Sequence, residues 1–223
     1  MKQNLYQCGI FDLDGVLVDT AKYHYLAWKK LAARLGFDFT EEQNEALKGV
    51  SRMRSLEILL EAGGMADRFS EEEKEQLAAE KNAMYVTYIQ NLKQEELFPG
   101  VTETFAEMRK AGVKIALGSA SKNARLILDR LGIASWFDAV IDGTKVTKAK
   151  PDPEVFLMAA EELRIEPGHC VVFEDSQAGL EAARRAGMLA VGVGKAENLS
   201  NAELIVGSVS DFSWQMSESF VGR

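Results

Sequence analysis

Short apolar runs alternate with longer amphipathic stretches along most of the chain. The runs are rich in β-branched residues, and polar residues follow several of them directly. This pattern is typical of the buried parallel strands of a doubly wound sheet. We therefore predict strands at five places: 8–11, 113–117, 170–173, 190–193 and 204–206.

The stretches between these runs have the spacing of helices. Each is followed within one or two residues by Gly or another helix breaker. They predict helices over 102–111, 123–131, 153–163 and 178–186. Because strands and helices alternate, we predict an α/β fold with a Rossmann-like doubly wound parallel sheet as its core.

Residues 20–92 break this alternation, since they carry helical patterns and no convincing strand. Two capping-box signatures, Thr40 with Gln43 and Ser70 with Glu73, mark helix starts inside this stretch. A chain of 223 residues has room for one large domain with a smaller insert. We predict a catalytic core made of 1–19 and 93–223 and an inserted all-helical cap domain, 20–92.

The composition and net charge of the chain indicate which kinds of binding partner are disfavoured. The chain is 47% hydrophobic and 27% charged, as expected of a soluble globular protein, and its net charge of −8 disfavours nucleic acid. The first residues show no signal peptide, and no membrane-spanning segment is evident. Cys8 and Cys170 lie in apolar runs and are predicted to be buried free thiols, so a cytoplasmic location is expected.

Polar residues that could carry chemistry follow the predicted strands: Asp12 and Asp14, Ser119, and Glu174 with Asp175. The carboxyl ends of parallel strands form the ligand site in such sheets, so these residues should converge. Two carboxylates two residues apart can provide a nucleophile and a general acid or base. Taken singly, the first pair could be an Asp-rich turn and the last pair a helix N-cap.

The residues at these strand ends suit phosphoryl transfer. Charge on the transferring oxygens requires a cation, a Lys and hydrogen-bond donors. Asp12, Glu174 and Asp175 supply the oxygen ligands that Mg²⁺ prefers, while Ser119 and the amides near Ala120 could bind phosphate oxygens. Lys150 would complete the set, although alone it would be read as a solvated lysine.

Residues 12–20, DLDGVLVDT, match the DxDGxLxDT motif of the haloacid dehalogenase superfamily of phosphotransferases, which the chain resembles throughout. Ser119, Lys150 and the acidic pair follow in that family's order. The resemblance implies that Asp12 is the nucleophile, that Asp14 is the acid and base, and that Lys150 bridges Asp12 and the phosphate. It also implies one Mg²⁺ per chain, bound by Asp12, Glu174, Asp175 and the Asp14 backbone carbonyl. The Asp at position 14 disfavours dehalogenation.

Three segments, 19–28, 47–55 and 119–123, resemble the hinge, substrate loop and phosphate loop of the family's cap-bearing hexose-phosphate mutases. That resemblance implies a cap closing over the substrate, with Arg52 on the distal phosphate, His24 near Asp14 and Lys81 reaching the sugar. The reaction implied converts β-glucose 1-phosphate to glucose 6-phosphate, with β-glucose 1,6-bisphosphate as activator and intermediate. The implied substrate contacts are Thr20, His24, Trp28, Gly49, Val50, Ser51, Arg52, Ser55, Lys81, Ala120, Ser121, Lys122 and Asn123.

The sequence also allows other interpretations of these residues. His24 could be a packed, half-buried histidine, and Arg52 an exposed residue of a turn between helices. For the whole chain, a sugar-phosphate phosphatase would use the same core. A receiver-type phosphorylation switch would need neither Asp14 nor a cap, and an inert sugar-phosphate sensor could keep every residue. We expect a monomer with a small sugar phosphate as its partner.

Overall fold

The computed structural model describes residues 5–47, 51–199 and 202–214. The chain divides into two compact units, one made of Met1–Asp19 with Lys93–Arg223 and the other of Thr20–Leu92. We refer to them as the core and the cap. No helix within the described ranges is both long and apolar enough to cross a membrane.

The core contains a six-stranded parallel sheet, which confirms the predicted α/β fold class. The strand order is β3-β2-β1-β4-β5-β6. Five strands lie where the sequence predicts them, and β3, which is three residues long, was not predicted. The strands are β1 (Cys8–Phe11), β2 (Lys114–Gly118), β3 (Ala139–Ile141), β4 (Cys170–Glu174), β5 (Leu189–Val193) and β6 (Leu204–Val206).

Both faces of the sheet are covered, and the central strands are buried and largely apolar. Cys8 and Ile10 on β1 belong to a cluster on one face, and Phe11 faces the other side, where its ring stacks on that of Phe173. Cys8 and Cys170 are buried free thiols, as predicted. The core helices are α5 (Val101–Lys110), α6 (Ala124–Arg130), α7 (Glu154–Leu163) and α8 (Gln177–Arg185).

The cap is helical in its described residues. Thr40 and Ser70 form the predicted capping boxes, with Gln43 and Glu73, because each hydroxyl accepts the third amide of its helix. The apolar faces of the longer helices bury one small core of their own. The cap helices are α1 (Ala21–Leu35), α2 (Glu41–Asn44), α3 (Arg52–Ala62) and α4 (Glu71–Ile89).

The strand order brings the polar strand ends together. β1 pairs with β2 on one side and with β4 on the other. The loops that follow these three strands therefore start side by side at the carboxyl edge of the sheet. This is the point where the direction of strand addition reverses, and sheets of this type bind ligands there.

Candidate active site

Lys150 joins the ends of three strands. Its Nζ lies 2.6 Å from Asp12 Oδ1, 2.5 Å from Glu174 Oε1 and 3.0 Å from the Gly118 carbonyl oxygen. All three ammonium hydrogens are thus engaged, and a bond to a substrate phosphate would replace one of these contacts. Lys150 is the predicted residue, and the structure brings it to Asp12.

Glu174 is held from its other side by Ser176. The Ser176 backbone amide and hydroxyl both donate to Glu174 Oε2, at 2.9 and 2.8 Å. The same hydroxyl accepts the Gly179 amide at 3.1 Å, since Ser176 is the N-cap of α8. A continuous hydrogen-bonded chain therefore runs from the start of α8 through Glu174 and Lys150 to Asp12.

The charges of this cluster perturb one another. Burial raises the pKa of Asp12 well above its usual value, and Glu174 and Asp14 raise it further, while Lys150 lowers it. For Lys150, burial acts to lower the pKa, but the Asp12 and Glu174 carboxylates outweigh it and raise that pKa. Lys150 is consequently held as a cation beside the predicted nucleophile.

Asp175 lies against the turn that follows Asp12. Gly15 has φ +82°, and a Cβ there would lie 1.9 Å from Asp175 Oδ2, so the approach requires glycine. Although Asp175 is solvent-exposed, partial desolvation of its carboxyl together with Glu174 and Asp14 raises its pKa to about 7. Asp12, Asp14, Glu174 and Asp175 therefore form one acidic group with Lys150 beside it.

The donor set suits a hard divalent cation. Crowded carboxylates with raised pKa values gain most from a cation, and Mg²⁺ typically takes only one or two carboxylates and keeps several waters. Asp12, Asp175 and the Asp14 carbonyl fit that requirement. Glu174 stays a predicted ligand, and its two oxygens already accept hydrogen bonds from Lys150 and Ser176. In the described ranges no three His, Cys, Asp or Glu side chains form a cluster that could hold a metal ion. A site here would therefore combine carboxylates with the Asp14 backbone carbonyl and with waters.

The predicted phosphate loop, residues 119–123, leaves β2 with its hydroxyls engaged locally. Ser119 is buried, and its Oγ accepts the Ser121 amide at 3.1 Å. Ser121 Oγ in turn accepts the Asn123 amide at 3.3 Å. The Ser119 hydroxyl hydrogen is left to donate elsewhere, for example to a phosphate oxygen. Ala120 and Lys122 are exposed.

A second polar cluster lies inside the cap, between α1 and α4. Lys81 is only 2% exposed, and its Nζ is 2.7 Å from His24 Nδ1. The ammonium also lies over the Trp28 and Tyr85 rings, 4.5 and 5.2 Å from their centroids. His24 stacks on Tyr85 with centroids 3.9 Å apart.

Burial disfavours positive charge in this cluster. Burial and the nearby Arg52 lower the pKa of Lys81 to about 7. Burial, then Lys81 and Arg52, lower the pKa of His24 to about 3, so this imidazole is neutral at physiological pH. Neutral His24 can accept a hydrogen bond from Lys81 at Nδ1, as the geometry requires.

Arg52 lies at the start of α3, with Ser51 as the N-cap. This corrects the prediction of a loop over 47–55, because helix begins at Arg52 and includes Ser55. Arg52 Nη2 donates to Asn82 Oδ1 at 2.9 Å, and burial lowers the pKa of the guanidinium. In the described part of the chain, Arg52 and Lys81 contact an amide and an imidazole respectively, not a carboxylate.

Most of the other predicted substrate contacts in the described part of the cap are buried. Thr20, Trp28 and Ser55 are buried, and Trp28 belongs to the apolar cluster of the cap. Ser51 is exposed. Gly49 and Val50 lie outside the described residues.

Three residues of these clusters were missed by sequence reasoning: Ser176, Asn82 and Tyr85. Ser176 could have been found, since a serine directly after the acidic pair and before a helical pattern is an N-cap signal. Asn82 and Tyr85 carried no such signal, because only the packing of helices against one another reveals their neighbours.

Comparison with known proteins shows which family the chain resembles. A family model described as haloacid dehalogenase-like hydrolase matches residues 6–187. The β-phosphoglucomutase of Bacillus subtilis (strain 168) is 43% identical over 207 residues, which is 93% of this chain and 92% of that protein.

Two further relatives define the range of activities nearby. A crystal structure of β-phosphoglucomutase from Clostridium difficile superposes with a TM-score of 0.87 at 44% identity, covering 96% of each chain. A phosphatase of phosphorylated carbohydrates from Thermotoga maritima is 34% identical over 90% of this chain and 91% of that protein. The likeness therefore extends over both mutases and phosphatases.

Proposed function

The chain belongs to the haloacid dehalogenase-like hydrolase family, and from this premise we propose that it is a Mg²⁺-dependent β-phosphoglucomutase. It would interconvert β-glucose 1-phosphate and glucose 6-phosphate through β-glucose 1,6-bisphosphate. The single observation that carries the proposal beyond the family is a pair of basic side chains in the cap, the exposed Arg52 and the buried Lys81. Arg52 and Lys81 have no carboxylate partner in the described residues, and a second phosphate would supply the missing charge.

In this proposal Asp12 and Asp14 have separate chemical roles. Starting from phospho-Asp12, the 6-hydroxyl of β-glucose 1-phosphate attacks phosphorus while Asp14 accepts its proton, and the bond from phosphorus to the Asp12 oxygen breaks. After the bisphosphate reorients, Asp12 attacks the phosphorus on carbon 1. Asp14 returns the proton to the leaving oxygen, and glucose 6-phosphate departs.

Other groups stabilise the charge that moves. Lys150 holds the Asp12 carboxylate in place, and Ser119 with the amides of the phosphate loop donates to the phosphoryl oxygens. Asp12, Asp175 and the Asp14 carbonyl would hold Mg²⁺, which would supply positive charge beside the transferring group. Arg52 binds the distal phosphate, and Lys81 contacts the sugar phosphate from α4.

A sugar-phosphate phosphatase is the second candidate. The core alone contains a nucleophile, an acid and base, and phosphate donors, and the Thermotoga maritima relative is a phosphatase. In that case water would discharge phospho-Asp12. The cap cations favour the mutase, because hydrolysis of a monophosphate has less use for a second anion site.

The deciding experiment follows two products from one substrate. β-Glucose 1-phosphate is supplied with Mg²⁺ and a trace of β-glucose 1,6-bisphosphate, and both glucose 6-phosphate and free phosphate are measured. The α anomer is run in parallel. Fast isomer formation with little phosphate, confined to the β anomer, supports the mutase. Phosphate release without isomer moves the assignment to the phosphatase.

A further inference from the structure

In the turn that follows β3, Thr144 and Lys145 donate hydrogen bonds back to Asp142, whose carboxylate is buried. Asp142 is only 1% exposed, and its Oδ1 accepts the Thr144 amide at 2.9 Å and the Thr144 hydroxyl at 2.5 Å. Its carbonyl oxygen accepts the Lys145 amide at 3.0 Å. Arg125 Nε lies 3.6 Å from Asp142 Oδ2. These bonds within the turn fix its backbone, so the turn can act as a rigid support for the residues packed against it.

The phosphate loop packs against this turn from Ser119 to Lys122. The Ser119 amide donates to the Ile141 carbonyl at 3.0 Å, and the Gly143 amide donates to the Ser121 carbonyl at 3.2 Å. Between these two bonds, a Cβ on Gly143 would lie 2.1 Å from the Ala120 carbonyl oxygen.

The contact at Gly143 is between backbones. A Cβ there would also lie 3.0 Å from the Lys122 backbone nitrogen, so the loop would be pressed at two of its peptides. A flexible side chain could rotate away from a new methyl group, whereas a backbone carbonyl can move only with its loop. Any larger residue at 143 therefore displaces the loop that begins at Ser119.

We propose that Asp142 and Gly143 are positioning residues that set the phosphate-binding loop at its working distance from the substrate. The inference rests on the proposed function in taking residues 119–123 as the phosphate site. Hydrogen-bond donors act on a developing phosphoryl charge only over a few tenths of an ångström, and a misplacement of about 1 Å can cost about 100-fold in rate. No atom of Asp142 or Gly143 has to touch the substrate for this role.

The test compares two glycine substitutions. Gly143→Ala adds a methyl group against the loop, and Gly168→Ala adds one where the structure leaves open space. For each variant, the KM and kcat of p-nitrophenyl phosphate hydrolysis and the affinity for inorganic phosphate by calorimetry are measured with Mg²⁺ present. Folding is checked by thermal unfolding.

We expect Gly143→Ala to bind inorganic phosphate at least about 10-fold more weakly and to raise KM, with the protein still folded, while Gly168→Ala matches the wild type. Asp142→Asn keeps the acceptor for Thr144 and should retain most phosphate affinity, whereas Asp142→Ala should lose it. Unchanged phosphate affinity in Gly143→Ala, or a loss of folded protein with normal KM, would overturn the inference.

The phosphate measurement separates this inference from the assignment of the reaction. If the wild type binds phosphate but does not isomerise β-glucose 1-phosphate, the mutase proposal fails. A weakened phosphate affinity in Gly143→Ala would still support the role of the turn in that case. If both glycine variants weaken phosphate binding equally, the turn has no special role.

Discussion

At the scale of single residues, the proposed nucleophile, Asp12, is held in place by a chain of hydrogen bonds. Asp12 is held by Lys150, Lys150 by Glu174, and Glu174 by Ser176. Because the Ser176 hydroxyl accepts the Gly179 amide, its single hydrogen is directed at Glu174. Removing the hydroxyl should therefore loosen Lys150, although Ser176 itself is three contacts away from Asp12.

Ser176→Ala removes this hydroxyl. We expect kcat for p-nitrophenyl phosphate to fall about 10-fold, or about 1.4 kcal/mol, because Glu174 loses one donor and Lys150 its fixed position. Ser176→Thr keeps the hydroxyl and should restore most of kcat. Loss of an N-cap costs about 1 kcal/mol of stability, so Ser70→Ala, which removes the N-cap of α4, is the matched control. Equal kcat in Ser176→Ala and Ser70→Ala would contradict the prediction.

Two arginines of α3 provide a second contrast. Both are exposed, but Arg52 is bonded to the Asn82 amide, whereas Arg54 is paired with the carboxylates of Glu57 and Glu61. An exposed pair of this kind contributes little to stability. Arg52 is thus the arginine of this helix that is free of a competing carboxylate in the described residues.

We expect Arg52→Ala to reduce isomerisation at least about 100-fold while leaving p-nitrophenyl phosphate hydrolysis within about 3-fold of the wild type, because the aryl substrate has no distal phosphate. Arg54→Ala should leave both rates unchanged. Both activities are measured on the same preparations. If Arg52→Ala loses both to the same extent, it does not bind a distal phosphate.

At the scale of elements, the accuracy of sequence reasoning followed the strength of the pattern. The predicted strand at 8–11 and the helix at 102–111 agree with the structure to within a residue, since apolar spacing and a following breaker define them. β3 was missed because three residues, Ala139–Ile141, are too few to show a period. Arg52 was placed in a loop because Gly49 dominated the prediction, whereas Ser51 starts a helix.

The packing of α1 against α4 buries the Lys81 side chain. The free-energy cost of its positive charge therefore makes stability depend on pH. The Lys81 ammonium, usually with a pKa near 10.5, has a folded-state pKa of about 7. Between these values the unfolded chain holds a proton that the folded chain does not, so stability rises with pH across that window. Below about pH 7 the charged form carries its full desolvation cost. The facing His24 is neutral throughout this window.

We therefore expect Lys81→Met to be more stable than the wild type near pH 7, by an amount that shrinks towards pH 9.5. The difference should change by at most about 1.4 kcal/mol per pH unit. Urea unfolding of both proteins at several pH values measures it. A difference that stays constant between pH 7 and 9.5 would show that Lys81 does not titrate there.

At the scale of the whole molecule, function and stability oppose each other at one edge of the sheet. The carboxyl ends of β1 and β4 bring Asp12, Asp14, Glu174 and Asp175 together. This convergence could be predicted from sequence, because parallel strands end on the same side. The contact of Lys150 with Asp12 was predicted as well, whereas its second contact, with Glu174, was not, since side-chain hydrogen bonds depend on contacts distant in sequence. A divalent cation would relieve the repulsion that remains among these four carboxylates.

Another carboxylate, at the amino-terminal ends of β2 and β3 in the same sheet, lies in a favourable environment and can be compared with Asp175. Asp138 precedes β3 and accepts the Lys114 ammonium at 2.7 Å and the Ile115 amide at 3.0 Å. Burial acts to raise the pKa of Asp138, but these bonds outweigh it and lower that pKa. Its ionised form therefore stabilises the fold, whereas the ionised form of Asp175 opposes it.

The two aspartates should respond in opposite directions to the same change. Without Mg²⁺, Asp175→Asn should raise the thermal midpoint by a few degrees, because it removes one negative charge from the crowded edge, and Asp138→Asn should lower it. Adding Mg²⁺ should stabilise the wild type and Asp138→Asn by binding to the folded state, and should have little effect on Asp175→Asn. Calorimetric scans with and without Mg²⁺ measure these shifts. A Mg²⁺ response in Asp175→Asn as large as that of the wild type would remove Asp175 from the metal site, and the acidic edge would then need another explanation.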